Sequence, residues 1–289
     1  MTTTVVDGPP VLGTLARHEI RRYAVNKLFW FGAVVSLAEG VVGMFSSDRE
    51  SSTMYVIGPA AMLGVLGLVV MIGLARGSDL AAEAAGAVSV PERVRTLALA
   101  TAVVVPVLVG LICWLLAVVA YFRHPPAVNT VPVGVIGDGY VLAVMFALGV
   151  MPCLGGPLLG LVLARWASFR GVAPIASVLL VLVTVLLQGI LPMTRSWRVV
   201  WPWTYFFGPF GVEGDSDRWL VLTGSPWFYL GDLAVLCGLG VLVAVYHDPE
   251  ADRVGLRRAL VVGVVVAVTL VVLTAVGGVP ETVNPLGSG

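Results

Sequence analysis

Seven continuous apolar runs, each close to the length of a membrane-crossing helix, decide what this chain can become. They lie at about Leu28–Phe45, Tyr55–Leu74, Leu97–Phe122, Tyr140–Ala164, Val172–Met193, Trp227–Tyr246 and Leu260–Val276. A helix needs about 20 apolar residues to cross the hydrocarbon core of a bilayer. Backbone N–H and C=O groups find no water there, so each run must satisfy its own as a helix. A transmembrane β-barrel would show alternating segments of about ten residues instead. The expected fold is all-α, a polytopic transmembrane helix bundle of six to seven spans that takes residues 1–289 as a single transmembrane domain. Only 12% of the residues are charged, against roughly 25% in a soluble domain. No stretch between the runs is long enough for a separate enzymatic domain.

Lys and Arg set the expected orientation. With the N-terminus in the cytoplasm, the inside segments hold Arg17, Arg21, Arg22, Lys27, Arg76, Arg93, Arg95, Arg165, Arg170, Arg253, Arg257 and Arg258, and the outside segments hold Arg49, Arg123, Arg195, Arg198 and Arg218. That division, 12 against 5, favours a cytoplasmic N-terminus by the positive-inside rule. Seven spans would leave the C-terminus outside. The zero net charge gives no reason to expect nucleic-acid binding.

Three segments outside the spans carry pattern. Over residues 11–26, Leu12, Leu15, Ala16, Ile20, Tyr23 and Ala24 recur at helical spacing opposite Arg17, His18, Arg21 and Arg22. This predicts an amphipathic helix in the membrane interface, either an anchor or a lever on a cytoplasmic partner. Glu19 is spaced to pair with Arg22 at i+3. Residues 76–96 form the longest cytoplasmic loop, with Ser78 expected to cap a short helix and Pro91 to open the next one. Its mixed charges make it the best docking surface for a soluble partner. Residues 194–225 hold Trp197, Trp201, Trp203, Tyr205, Phe206, Phe207, Phe210 and Trp219, broken by Pro202, Gly208 and Pro209. Such rings favour the membrane interface, so an external re-entrant segment is expected, either a belt or a lid over an exit path.

Several chemistries lack their residues. Lys27 is the only lysine and has no glycine-rich turn before it, so the chain carries no nucleotide-binding P-loop. The three histidines, His18, His124 and His247, lie in separate segments, and Cys113, Cys153 and Cys237 show no CxxC spacing. Neither a metal site nor a disulfide framework is expected, and no serine sits in a nucleophile elbow. Glu39, within the first span, must face the bundle, take up a proton or sit in a polar cavity. Gln188 is a second inward-facing candidate, and Asp232 is expected to reach for the outer interface. Gly156–Gly160 and Ala60–Gly64 are small-xxx-small patterns that permit close helix approach.

The order of parts, with Leu15-Ala-Arg-His-Glu-Ile-Arg-Arg-Tyr23, Val90-Pro-Glu-Arg-Val-Arg-Thr-Leu and the Trp201–Gly211 region, resembles the permease subunits of ABC-2 type transporters, particularly the short actinobacterial kind. The resemblance implies a bacterial plasma-membrane protein in which 11–26 is the connecting helix, 76–96 the coupling loop and 194–225 the external re-entrant element. A seventh span departs from the common six-span core. The chain itself would be no enzyme and hold no cofactor; ATP and Mg would be bound by a separate ATP-binding subunit. A second permease chain, identical or related, would complete the path for a hydrophobic or amphipathic substrate, most simply outward. By the same resemblance Glu19, Arg22, Glu83, Glu92, Arg93 and Arg95 would contact the ATPase, and Glu39, Gln188, Trp201, Phe206 and Phe207 would line the substrate path. Two other classes fit the residues: an ion-coupled secondary transporter centred on Glu39, and a membrane scaffold that transports nothing.

Overall fold

The computed structural model describes residues 9–45, 58–86, 90–123, 138–167, 169–186, 200, 210–215, 218–278 and 283–285. Among them are the helices α1 (Pro9–Ala24), α2 (Lys27–Phe45), α3 (Leu66–Ala85), α4 (Glu92–Thr101), α5 (Val104–Arg123), α6 (Asp138–Trp166), α7 (Val172–Val185), α8 (Pro226–Tyr246) and α9 (Arg253–Val276). A π-helical turn, Pro59–Val65, leads directly into α3. Six helical stretches are long and apolar enough to cross a membrane: Lys27–Phe45, Pro59–Ala84, Glu92–Arg123, Asp138–Trp166, Pro226–Tyr246 and Arg253–Val276. The protein is an all-α, multi-pass membrane bundle. Its described extended structure is a small antiparallel sheet in the order β1 (Phe210–Asp215), β2 (Arg218–Thr223), β3 (Val283–Pro285). The sequence pattern announced none of these strands, of which β1 and β2 lie within the expected re-entrant segment.

The centre of the bundle is α3 packed on α6. At their crossing, a Cβ on Gly160 would overlap the backbone carbonyl of Leu68. Only glycine allows that approach, which is the use expected of a small-xxx-small pattern. Pro152 and Pro157 lie inside α6. Each removes one backbone hydrogen bond, which a membrane helix tolerates when neighbouring helices cover the exposed carbonyls. By contrast α9 packs mainly on α8 and leaves Val261, Val262, Val264, Val265, Val268 and Val272 exposed.

Helix α1 is keyed into the bundle. Its apolar stripe delivers Tyr23, fully buried, against Phe29 with ring centroids 5.3 Å apart. Burial drives the Tyr23 hydroxyl well above its usual range, with the Cys153 thiol as a smaller cause, so it stays neutral. Asn26 ends α1 and starts α2, its side-chain oxygen accepting from Leu28 N at 2.9 Å, as an N-cap does.

Two expectations need correction. Ser78 caps no new helix, because α3 runs unbroken from Leu66 to Ala85. Gly77 does not interrupt it, and its missing side chain makes room for Arg22, whose Nη2 would lie 2.6 Å from a Cβ there. The helix stops at Gly86, where φ is +62°, a conformation suited to glycine. Asp232 does not reach for the interface. It is 1% exposed, and its Oδ1 has no hydrogen-bond partner among the described residues.

Candidate functional site

Charged residues from distant parts of the chain converge at the end of the bundle where α1 lies. Asp79 projects from the last turns of α3, Glu92 and Arg95 from the start of α4, Arg165 from the end of α6, and His247 and Asp248 follow α8. Arg165 Nη1 donates to both oxygens of Asp79 at 2.7 and 2.9 Å. Arg95 Nη1 donates to Asp79 Oδ1 at 2.8 Å and to the Ser78 carbonyl at 3.2 Å. Glu92 lies 3.7 Å from Arg165 Nε and 2.7 Å from His247 Nδ1. The Arg165 side chain is only 2% exposed. A charge so far from water must be paired, and removing its partner is costly.

Each element arrives for a local reason. Pro91 precedes α4 without a side chain that could cap it. The first N–H groups of a helix still need acceptors, and Asp248 supplies one by accepting from Arg93 N at 2.8 Å across 155 positions of sequence. Trp166 pins the end of α6 to α8. Its indole N–H donates to the Val243 carbonyl at 3.1 Å, and its ring meets His247 edge-on at 5.3 Å. Arg76 closes the group from the other side, donating to the Phe169 carbonyl at 2.6 Å.

Beside this cluster, Arg22 on α1 pairs with Glu19 at 2.8 Å, the i+3 contact read from sequence, and reaches the Leu74 carbonyl at 3.5 Å. So α1 is bonded to α3 one turn before the cluster begins. Glu19 is 4% exposed. It therefore positions Arg22 and does not offer its own carboxylate to a partner. Glu83 is exposed on the tip of α3. It borders a cavity of about 470 Å³ whose other polar walls are Asp79, Glu92, Arg95, Arg165 and His247.

The structure thus gathers Glu83, Glu92, Arg93 and Arg95 at one place, with Glu19 and Arg22 adjacent. Sequence reasoning missed Asp79, Arg165, His247 and Asp248. Arg165 carried a signal, as a lone arginine closing an apolar run, but its partner lies 86 positions away. Of the expected path residues, Glu39 rests its carboxylate against Gly58, in the space a Cβ there would take. That places its carboxylate at the first turn of the Pro59 segment, the electropositive end of a helix. Gln188, Trp201, Phe206 and Phe207 lie outside the described residues. A separate apolar cleft runs between α6 and α8, lined by Met151, Leu158, Val162, Leu233, Leu236 and Cys237. No group of His, Cys, Asp and Glu among the described residues could hold a metal ion.

No family model, no curated protein and no solved structure matches this chain.

Proposed function

We propose that this chain is the transmembrane permease subunit of an ABC transporter, working with a separate ATP-binding subunit and a second permease chain. In this reading the α1 end of the bundle is cytoplasmic and the membrane is a bacterial plasma membrane. The observation that carries the reading is the unbroken path of α3. One rigid helix begins in the membrane, passes the Arg22 contact and the Asp79 pairs, and ends in the exposed tip at Glu83. A push on that tip cannot be absorbed by a hinge at Ser78. It must move α1, α4, α6 and α8 together, as a two-state rocking of the bundle requires. Glu83, with Arg93 and the exposed basic face of α1, would meet the ATP-binding subunit. Glu92 and Arg95, committed to Arg165, His247 and Asp79, would transmit the motion. The apolar cleft between α6 and α8 suits a hydrophobic or amphipathic cargo, carried outward.

A carrier working alone through Glu39 has less support, since that carboxylate packs on Gly58 and is one isolated acid, whereas ion-coupled carriers use several buried charges or broken helices. The test is purification from the native membrane in mild detergent, followed by Glu83→Arg. The proposal expects an ATP-binding protein in fixed stoichiometry, and a variant that inserts and folds normally yet separates ATP hydrolysis from transport. A chain that stays alone after gentle crosslinking and loses transport on Glu39→Gln would overturn it.

A further inference from the structure

The α1 end of α9 carries a second charged surface, unlike the paired cluster. Arg253, Arg257 and Arg258 rise from its first turns above Tyr246, Val254, Val261 and Val262, and these residues line an open groove. All three arginines are exposed. Arg253 lies over the Tyr246 ring, 5.8 Å from its centre. Arg257 and Arg258 make no hydrogen bond or ion pair among the described residues. Of the acids close in sequence, Asp252 caps α9, accepting from Gly255 N at 3.1 Å, and neither it nor Glu250 forms an ion pair with these arginines among the described residues.

Below the arginines the same helix face is aliphatic apart from Thr269, whose hydroxyl donates to the Val265 carbonyl at 2.8 Å. Val261, Val265, Val268 and Val272 follow at spacings of four and three, with Val262 next to the first of them, each more than half exposed. From Val261 to Val272 this lane rises about 16 Å at roughly 1.5 Å per residue. That is close to one leaflet of a hydrocarbon core about 30 Å thick. A cationic head position and an aliphatic lane one leaflet long, on one face of one helix, match the two halves of a single ligand. The electropositive N-terminus of α9 adds to the attraction for an anion.

We propose that this face of α9 binds an anionic phospholipid, its phosphate head group held by Arg257 and Arg258 and an acyl chain laid along Val261–Val272. A second copy of this chain fits less well. A two-fold contact presents the same patch on both partners, and would bring the unpaired arginines of each copy against their own like.

The full chain, purified in mild detergent and delipidated, is mixed with phosphatidylglycerol or phosphatidylcholine and examined by native mass spectrometry. Selective retention of phosphatidylglycerol is expected. The double variant Arg257→Gln, Arg258→Gln should weaken that retention roughly 30-fold, taking the contribution of two arginines near an anionic head group. Arg257→Lys, Arg258→Lys keeps the charge and should keep most of the binding. Arg123→Gln, a basic residue at the end of α5, should leave it unchanged. Equal retention of the two lipids would overturn the proposal, as would a loss with Arg123→Gln equal to that of the double variant. Displacement of the lipid by millimolar inorganic phosphate would reassign the site to a free anion. A delipidated chain that dimerises through this face regardless of added phosphatidylglycerol would reassign it to a second copy.

Discussion

Removing Asp79 is the sharpest perturbation this bundle offers, because one carboxylate serves two arginines. Asp79→Asn keeps the shape and deletes the charge that Arg165 meets at 2.7 Å and Arg95 at 2.8 Å. Breaking a fully buried pair costs about 3–5 kcal/mol, and an exposed pair is worth about 0–1 kcal/mol. Arg165 is 2% exposed and Arg95 16%, but Asp79 itself is 35% exposed. The substitution belongs between those limits, at about 2–3 kcal/mol, with Glu92 retaining part of the Arg165 charge. The assay is reversible unfolding in mixed micelles followed by tryptophan fluorescence, with Trp166 beside the cluster as a local reporter. A double-mutant cycle of Asp79→Asn and Arg165→Gln should return a coupling of about 2 kcal/mol, since neither residue has a full substitute partner. The pair Asp79→Leu, Arg165→Met should recover only part of the lost stability, because it removes the most deeply buried charge but leaves Arg95 without its carboxylate partner. Coupling below about 0.5 kcal/mol, the level of independent sites, would refute the argument that this pair holds the helix ends together.

Gly160→Ala should destabilise the bundle by about 1–3 kcal/mol in the same assay, because the overlap is with the Leu68 backbone, which cannot rotate away. Gly13→Ala, where nothing lies within 4 Å of the added Cβ, should be neutral or stabilising by up to about 1 kcal/mol. In a chain with Cys113, Cys153 and Cys237 changed to Ala, single cysteines at Arg170 and at Trp227 should react with an impermeant maleimide from opposite faces of sealed vesicles. Reaction of both from the same face would remove the crossing between them.

What the sequence made legible follows from how local each constraint is. The apolar spans, the α1 stripe and the Glu19–Arg22 pair depend on residues three to twenty positions apart, and the hydrocarbon core leaves few alternatives for them. Ser78 misled because a capping residue signals a start only where the helix has first stopped. Here the space at Gly77, the residue before Ser78, is filled by Arg22. The pairing of Arg165 with Asp79 and the capping of α4 by Asp248 depend on packing across 86 and 155 positions, which no periodicity encodes. The sidedness of the charges was nonetheless readable in one respect. Arg22, Arg76, Arg93, Arg95, Arg165 and Arg170, expected on one face, are tied to that end of the bundle by their own contacts.

The same contacts bear on the number of crossings. The Arg170 carbonyl, 3.5 Å from Arg76 Nη1, belongs to the α1 end. So does His247, at the close of α8, through Glu92. Helix α8 has 21 residues and therefore starts about 30 Å away, at the opposite end. There Ser225 N donates to the Thr274 carbonyl at 2.9 Å near the end of α9. The chain must pass from one end of the bundle to the other between Arg170 and Ser225. Helix α7 covers the first 14 residues of that passage, too few alone for a core that needs about 20. Six helices meet the length of a full span within the described residues, and α7 is the shorter apolar helix on the way from Arg170 to Ser225. Because α9 begins at Arg253, five residues after Asp248, the contacts of His247 and Asp248 with α4 put the arginine groove at the α1 end of the bundle.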